Sequence, residues 1–135
     1  LNGVAVEDAF DKISVFGRPA NREPFARQRF EYPELGLEIG GEGGRVKYFS
    51  FSLQTFSSKT SPCELTLISE RGTPLGLTKN TKSGEVENLL GKPFELEEYY
   101  KEKVYRFKFK RLILEFEFDE QDCLMNFEAG LEDFV

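Results

Sequence analysis

The chain has 135 residues, with 18 basic and 24 acidic side chains and a formal net charge of −6. This length fits one domain with a sizeable core, the negative charge argues against general nucleic-acid binding, and the absence of histidine removes the commonest general base and metal ligand at neutral pH. The two cysteines, Cys63 and Cys123, lack a CxxC spacing and are too few for a disulfide scaffold or a zinc site, and no apolar run reaches the ~18 residues of a membrane helix.

The first half of the chain predicts one helix followed by three strands. Phe10, Ile13 and Phe16 recur at roughly helical spacing, and Gly17 ends the helix that we predict over Glu7–Phe16. The elements that follow are a polar loop (Ala20–Gln28), strands at Arg29–Tyr32 and Leu35–Ile39, the glycine-rich turn Gly40–Gly44, and a long strand from Val46 to about Phe56.

The second half predicts a hairpin, a second helix and three more strands. Val86, Leu89 and Leu90 form the apolar face of a short helix that begins near Ser83 and ends at Gly91. The other predicted elements are a hairpin of Cys63–Ser69 and Pro74–Thr78, a charged loop at Glu95–Glu102, and three strands. These strands lie at Val104–Lys110, at Leu112–Phe118, and from Leu124 to Phe127 or a little further.

The two halves share four elements in the same order. A Gly-basic-Pro element recurs after 74 residues, an Arg-Phe strand and a Leu-x-Leu-Glu strand recur after 77, and the apolar positions of the last strand recur after 78. This order predicts one unit used twice. We therefore predict a single domain over residues 1–135 with an α+β fold. Repeat one (1–56) and repeat two (63–135), joined by a connector (57–62), each place a short helix on an antiparallel sheet, and together they form one continuous sheet with both helices on one face.

Two stretches that suggest ligand chemistry have simpler explanations. The turn Gly40–Gly44 is followed by a strand, whereas a phosphate-binding loop needs a helix N-terminus there. The stretch Lys101–Arg111 holds six basic groups and one acid among aromatic residues, which in isolation resembles a nucleic-acid-binding strand. The neighbouring stretch Leu112–Asp122 carries five acids and no base, so cross-strand ion pairing explains both. We therefore predict a hairpin turn and no nucleic-acid partner.

No arrangement of residues in the sequence predicts catalysis. The serines and threonines have no histidine or recognisable lysine partner, and no nucleophile elbow is present. The carboxylates lie on alternating strand positions or in loops, and we expect Cys63 and Cys123 to be small, reduced and unpaired core residues. We predict that the protein is not an enzyme, with the reservation that a convergent site needs no motif.

The repeated motifs resemble those of the β-lactamase-inhibitor-protein fold and of the related small outer-membrane-assembly lipoproteins. Such repeats read as a helix ending in Leu-Gly-x-Pro, then Tyr-x-Tyr, then an apolar strand ending in Phe-Asp. The matching stretches here are Leu90-Gly91-Lys92-Pro93, Tyr105-Arg106-Phe107, Phe118-Asp119 and, less completely, Phe16-Gly17-Arg18-Pro19 and Phe30-Glu31-Tyr32. The first repeat lacks the Phe-Asp turn, and neither the family's disulfides nor a lipobox cysteine is present. The architecture is also similar to that of immunity proteins that neutralise secreted antibacterial toxins.

This resemblance implies a protein that binds another protein and performs no chemistry. We expect a non-catalytic protein-binding module, in its most concrete form a bacterial immunity protein that neutralises a secreted toxin by stoichiometric binding. A cell-envelope adaptor or assembly protein is the alternative, and an uncharacterised enzyme comes third. The acidic chain suits a basic toxin as its partner. We expect no cofactor and no membrane span, and the compartment, cytoplasmic or periplasmic, and the oligomeric state stay open.

Strand alternation divides the predicted sheet into an aromatic face and a solvent-facing side. The aromatic face is expected to meet the helix residues Phe10, Ile13, Phe16, Val86, Leu89 and Leu90 through Phe30, Tyr32, Leu37, Phe49, Phe51, Phe107, Phe109, Leu114, Phe116 and Phe127. The solvent-facing side is predicted to bind the partner through Arg29, Glu31, Glu38, Tyr48, Arg106, Lys108, Glu115, Glu117, Asn126 and Glu128.

The predicted binding side has five acids and three bases, with Tyr48 as a candidate anchor. A merely solvated face is one alternative, and recognition by the loops at 20–28 and 95–102 is another. Reversing Glu115 and Glu117 to lysine is expected to weaken binding, mostly through a slower association, and to leave folding intact.

Overall fold

A seven-stranded antiparallel sheet dominates the computed structural model, which describes residues 1–21, 24, 28–54 and 61–135. The strands of the chain are β1 (Arg29–Tyr32), β2 (Leu37–Glu42), β3 (Arg45–Ser52), β4 (Leu65–Ile68), β5 (Pro74–Leu77), β6 (Glu95–Tyr99), β7 (Glu102–Phe109), β8 (Leu112–Phe118) and β9 (Leu124–Leu131). The large sheet has the order β1-β2-β3-β9-β8-β7-β6, and β4 and β5 form a separate two-stranded hairpin.

Helical structure is scarce in the described residues, and the predicted α+β fold of helix-on-sheet repeats is wrong. A 3₁₀-helix spans Phe10–Phe16, a one-turn 3₁₀-helix spans Pro33–Leu35, and an α-helix, α1, spans Ser83–Leu90. In the first of these segments the apolar residues recur every three positions. Three residues per turn is the period of a 3₁₀-helix, whereas an α-helix has 3.6. Antiparallel strands, and not helices, therefore set the architecture.

Three separate pieces of chain cover one face of the seven-stranded sheet. The first 3₁₀-helix contributes Phe10 and Ile13, α1 contributes Val86, and the β4–β5 hairpin contributes Leu77, all of them buried in the same core cluster. The hairpin thus fills part of the area that the prediction assigned to helices. Burial of these apolar side chains is the main force that holds the covering pieces on the sheet.

The core between these layers is aromatic. Nine of the ten strand residues predicted for the aromatic face are buried, and Phe109 is half-buried. Phe116 is fully buried, its ring stacks on Phe127 at a centroid distance of 4.7 Å, and Phe127 stacks on Phe51 at 5.6 Å. Of the predicted helix residues, Leu89 lies outside the core cluster of the described chain. Alternation along the strands therefore identifies the core face correctly.

Strand pairing at the centre of the sheet follows the sequence repeat. β3 and β9 pair with Phe49 opposite Ala129 and Phe51 opposite Phe127. Phe49 and Phe127 are 78 residues apart, and so are Phe51 and Ala129. The pairs Phe49–Ala129 and Phe51–Phe127 are therefore equivalent under the sequence repeat. The meanders β1–β2–β3 and β9–β8–β7 are therefore related by an approximate two-fold axis between β3 and β9. The two halves share a three-stranded meander, without the predicted helix-on-sheet unit.

The stretch predicted as a charged loop, Glu95–Glu102, contains strand β6 and the start of β7. Every residue of β6 is exposed, so burial imposes no apolar alternation that would reveal a strand. β6 forms because it pairs with β7 across a two-residue turn, Tyr100–Lys101. Strand β9 continues beyond Phe127, as predicted, and reaches Leu131 because its whole length pairs with β8.

Two predicted segments fall largely outside the described residues. Of the connector 57–62, the structure describes only residues 61 and 62, and of the polar loop 20–28 only residues 20, 21, 24 and 28. Within the described parts of the chain, no helix has the length and apolar character needed to cross a bilayer.

Candidate functional site

The side of the seven-stranded sheet opposite the aromatic core, here called the polar face, carries all ten residues predicted to bind a partner. Residues paired directly across antiparallel strands project to the same side, and Glu38 pairs with Glu31, while Glu115 pairs with both Glu128 and Arg106. The other five predicted residues, which alternate with core residues along their strands, are Arg29, Tyr48, Lys108, Glu117 and Asn126.

One row of the polar face crosses the whole sheet, with one residue from each strand. In spatial order its members are Glu31, Glu38, Ser50, Glu128, Glu115, Arg106 and Glu95. Five of these seven side chains are carboxylates and one is a cation. Because directly opposed residues lie about 5 Å apart, the row concentrates negative charge along a line through the middle of the sheet.

Arg106 binds three carboxylates of the polar face. Its Nε donates to Glu115 Oε2 at 2.6 Å, and its Nη1 lies 3.1 Å from carboxylate oxygens of both Glu95 and Glu97. Glu115 is only 8 % exposed, so this pair holds a buried charge in the middle of β8. Removal of the cation from such a pair leaves a buried charge without a partner, which strongly destabilises the folded state. The buried position of Glu115 instead predicts that reversing its charge destabilises the fold.

Glu117 and Glu128 lie beside this pair and have raised pKa values. Burial raises the pKa of Glu117, and the neighbouring Glu115 raises it further. Burial is also the largest effect on the pKa of Glu128, which a hydrogen bond from Ser50 Oγ at 3.0 Å lowers and the charge of Glu115 raises. Neither Glu117 nor Glu128 has a salt bridge with any described residue. The centre of the polar face thus holds partly buried negative charge that no salt bridge between described residues neutralises.

Acids outnumber bases on the strands of the polar face by eight to three. The acids are Glu31, Glu38, Glu95, Glu97, Glu102, Glu115, Glu117 and Glu128, and the bases are Arg29, Arg106 and Lys108. Each base is already bound to a carboxylate: besides Arg106, Arg29 lies 2.7 Å from Glu31, and Lys108 lies 2.6 Å from Glu132 after the end of β9. Of the eight acids, Glu102, Glu117 and Glu128 form no salt bridge with a described residue and are left for solvent cations or for a partner.

The ring of Tyr48 packs closely against the sheet, and its role as a candidate anchor stays a prediction. Its hydroxyl donates to Glu38 Oε1 at 2.8 Å, and burial, followed by this hydrogen bond, raises the pKa of the phenol. Its ring lies over Gly40, where any β-carbon would collide with it. Gly40 is therefore required for the close approach of the ring, and Tyr48 serves to position Glu38.

The structure adds three acids to the predicted polar face, namely Glu95, Glu97 and Glu102. All three lie in the stretch predicted as a charged loop. The alternation of Glu95 and Glu97 about Leu96 is a two-residue period, which is typical of a strand with one polar side. That signal is short, and a single apolar residue does not distinguish such a strand from a loop.

Two further features of the described residues are the free cysteines and a groove beside α1. Both cysteines are unpaired, as predicted, and burial, with a contribution from Glu64, raises the pKa of Cys63. No group of three His, Cys, Asp or Glu side chains in the described ranges is arranged to hold a metal ion. A groove of about 690 Å³ lies between the β4–β5 hairpin, α1 and the sheet, and none of the ten predicted binding residues lines it.

Comparison with known proteins supports the fold and goes no further. No protein-family model matches the chain, and a comparison with curated proteins finds no match. The chain is similar in structure to a DUF4309 family protein (YjgB) from Bacillus subtilis, with a TM-score of 0.59 and 11 % sequence identity over 96 % of this chain and 83 % of that protein. At this identity the likeness concerns the fold alone.

Proposed function

We propose that this protein is a non-catalytic binding module that holds a basic surface of another protein against its polar face. The observation that carries the proposal is the unmatched pair Glu117 and Glu128, two partly buried carboxylates at the centre of the face without a salt bridge to any described residue. A lysine or arginine from a partner would relieve the repulsion between them. Complementary charge of this kind favours correct encounter and a fast association rate.

The surrounding structure preorganises these two carboxylates for binding. Glu128 is oriented by Ser50, and Glu117 lies on β8, which is paired on both sides by β7 and β9. A group on a central strand loses little conformational freedom when a partner binds, which lowers the entropic cost of association. The rigid sheet therefore supplies a broad acidic surface whose geometry exists before the partner arrives.

The most concrete form of this proposal is an immunity protein that neutralises a basic toxin by stoichiometric binding. It follows from the motif resemblance, and the charge of the polar face supplies the physical reason for a basic partner. A toxin or secretion gene beside the gene for this protein would support this form. A neighbourhood of outer-membrane assembly genes would instead support an envelope adaptor that uses the same face.

A double substitution, Glu117→Gln with Glu128→Gln, tests the proposal without touching the buried pair of Arg106. The partner is first captured from the source organism with the wild-type protein and identified by mass spectrometry, and binding is then measured by titration calorimetry. We expect one-to-one binding by the wild type, an affinity loss of about tenfold or more in the double variant, corresponding to ~1.4 kcal/mol, and a weaker dependence on salt.

A matched control changes the same net charge away from the polar face. Glu64→Gln with Glu70→Gln removes two exposed carboxylates before β4 and in the β4–β5 turn. This control should bind the partner within about twofold of the wild type, because exposed charges far from an interface act only through the weak long-range field. Equal losses in both double variants, or no loss in either, would contradict the proposed role of the polar face.

A further inference from the structure

The two edge strands of the seven-stranded sheet, β1 and β6, differ in whether other parts of the chain cover them. At the β1 edge, Ala20 N–H donates to the carbonyl of Glu31 at 2.7 Å. The side chain of Asn21 donates to the carbonyl of Arg29 at 2.7 Å and accepts from the N–H of Glu31 at 3.0 Å. These contacts satisfy three outward backbone groups of β1, and native proteins commonly cover exposed edges in this way.

The β6 edge has no such cover among the described residues. β6 is the last strand of the sheet and pairs only with β7, through Glu95–Arg106 and the four pairs that follow. The hydrogen bond from Phe94 N–H and the ion pairs of Glu95 and Glu97 also go to Arg106 of β7. The outer side of β6 is therefore a row of backbone donors and acceptors that faces solvent.

The turn between β6 and β7 identifies which backbone groups face outward. Tyr100 and Lys101 both have positive φ, 47° and 72°, which is the geometry of a two-residue type I′ hairpin. In such a hairpin the flanking residues form a hydrogen-bonded pair, and hydrogen-bonded and non-bonded pairs alternate from there. Leu96 and Glu98 consequently occupy the non-bonded positions of β6, and their N–H and C=O groups point away from β7.

Side chains on β6 specify the chemistry of a strand that would pair with it. Glu95 and Glu97 project to the polar face, whereas Leu96 projects to the opposite side. Four of the eight exposed large apolar side chains of the described chain lie within residues 94–100. An incoming strand therefore needs apolar side chains opposite Leu96 and basic side chains opposite the two glutamates.

A second copy of the chain fits this edge poorly. Antiparallel pairing of β6 with another β6 would bring together two strands that each carry Glu95, Glu97 and Glu98 and no base. Like charges opposite one another destabilise a strand pair. The acidic side chains thus disfavour self-association and leave the edge open to a strand of opposite charge.

We propose that the free edge of β6 binds an extended protein segment in which basic and apolar residues alternate, adding one strand to the sheet. Backbone hydrogen bonds to Leu96 and Glu98 would supply affinity, and the side chains of β6 would supply specificity, as in other cases of strand addition. This edge is a surface separate from the centre of the polar face, so the inference goes beyond the proposed function and does not depend on it.

A fluorescein-labelled peptide, Lys-Val-Arg-Val-Lys-Val, tests the proposal by fluorescence anisotropy. When its valines lie opposite Leu96 and Glu98, the valine N–H groups face β6 and the basic-residue N–H groups face away. N-methylation of the valines should therefore weaken binding at least tenfold, whereas N-methylation of the basic residues should leave it within about twofold. Equal binding of the two methylated peptides, or no binding of the unmodified peptide, would overturn the proposal, because charge alone would then explain any attraction.

Protein variants provide an independent test. Glu98→Pro removes an outward N–H without removing a bond to β7, whereas Glu98→Ala removes the same charge and keeps the N–H. We expect Glu98→Pro to lose peptide binding at least fivefold relative to Glu98→Ala, with both variants folded by circular dichroism. The variant pair Glu117→Gln with Glu128→Gln should bind the peptide normally, so a failure at the edge is distinguishable from a failure of the polar face. Dimerisation that Glu98→Pro abolishes would overturn the assignment of a basic segment in favour of a second copy.

Discussion

The pairs Arg29–Glu38 and Arg106–Glu115 occupy equivalent places in the two halves of the chain, because an offset of 77 residues relates them. Their geometries differ strongly. Arg29 Nε lies 3.7 Å from Glu38 Oε2, with side chains 42 % and 33 % exposed, whereas Arg106 Nε lies 2.6 Å from Glu115 Oε2, with side chains 22 % and 11 % exposed. The same two residue types therefore form a loose surface contact in one half and a buried ion pair in the other.

Strand register is the first cause of this difference. Arg106 lies directly opposite Glu115, whereas Arg29 lies opposite Gly40, two residues beyond Glu38. The connection between β1 and β2 contains the 3₁₀-helix Pro33–Leu35, whereas a two-residue turn joins β7 to β8. A register shift of two residues keeps every side chain on its face and changes its neighbour. The longer turn between β1 and β2 thus preserves the polar face and weakens the ion pair.

A flanking strand is the second cause. β7 is covered by β6, whose residues Glu95 and Glu97 complete the carboxylates around Arg106, whereas β1 is itself an edge strand. A strand with no buried residue can therefore still determine how deeply a charge on its neighbour is buried. β6 therefore contributes to the stability of the second half as well as offering a free edge.

Equivalent core substitutions in the two halves should lower the free energy of unfolding to a similar extent. This is the largest expected effect. Phe116 and Ile39 are related by the 77-residue offset and both are fully buried. We expect Phe116→Ala to reduce the free energy of unfolding by about 3–5 kcal/mol, and Ile39→Ala by about 2–5 kcal/mol, because each leaves a cavity. Urea denaturation monitored by circular dichroism measures both. A loss under about 1 kcal/mol for Phe116→Ala would mean that the core face is assigned wrongly.

The polar side of the two halves should respond unequally. Arg106→Ala leaves Glu115 buried without its cation, so we expect a loss of about 3 kcal/mol in the free energy of unfolding. Arg29→Ala removes a solvent-exposed pair and should cost under about 1 kcal/mol. The same urea experiment compares the two variants. Similar losses would show that register and the flanking strand do not make the two ion pairs differ in their contribution to stability.

Protonation of the polar face should produce the smallest effect. The folded pKa values of Glu117 and Glu128 lie above the ordinary glutamate value of 4.5, so the folded state binds these protons more tightly than the unfolded state does. The stabilisation that comes from protonated Glu117 and Glu128 is therefore fully present below pH 4.5. It is lost as pH rises through their raised pKa values. Glu117→Gln with Glu128→Gln should remove this decline and stabilise the protein at pH 7 by roughly 0.2–1 kcal/mol.

Thermal or urea denaturation as a function of pH measures this difference between the wild type and the double variant. The control Glu64→Gln with Glu70→Gln should follow the wild-type curve, because these carboxylates lie outside the polar face. A double variant less stable than the wild type at neutral pH would show that Glu117 and Glu128 are stabilising charges in the folded state. This result would also contradict the proposed function, which rests on repulsion between these two carboxylates.

Sequence alone determined the two faces of the sheet. Alternation with a period of two placed Phe30 and Phe116 in the core and Glu38 and Glu117 on the polar face, because successive side chains of a strand must point to opposite sides. The alternation holds without knowledge of which strands are neighbours. For the same reason all ten predicted binding residues lie on one face, although their role in binding stays a prediction.

Only the tertiary structure decided which strands are neighbours, how they are aligned and which charges are buried. The exposed β6 carries no apolar pattern, and alternation along β8 places Glu115 on the polar face without showing that it is buried. Each of these features depends on contacts between residues far apart in the chain. A local pattern specifies the side on which a residue lies, but its burial and its partners follow from strand pairing, which short sequence periods do not encode.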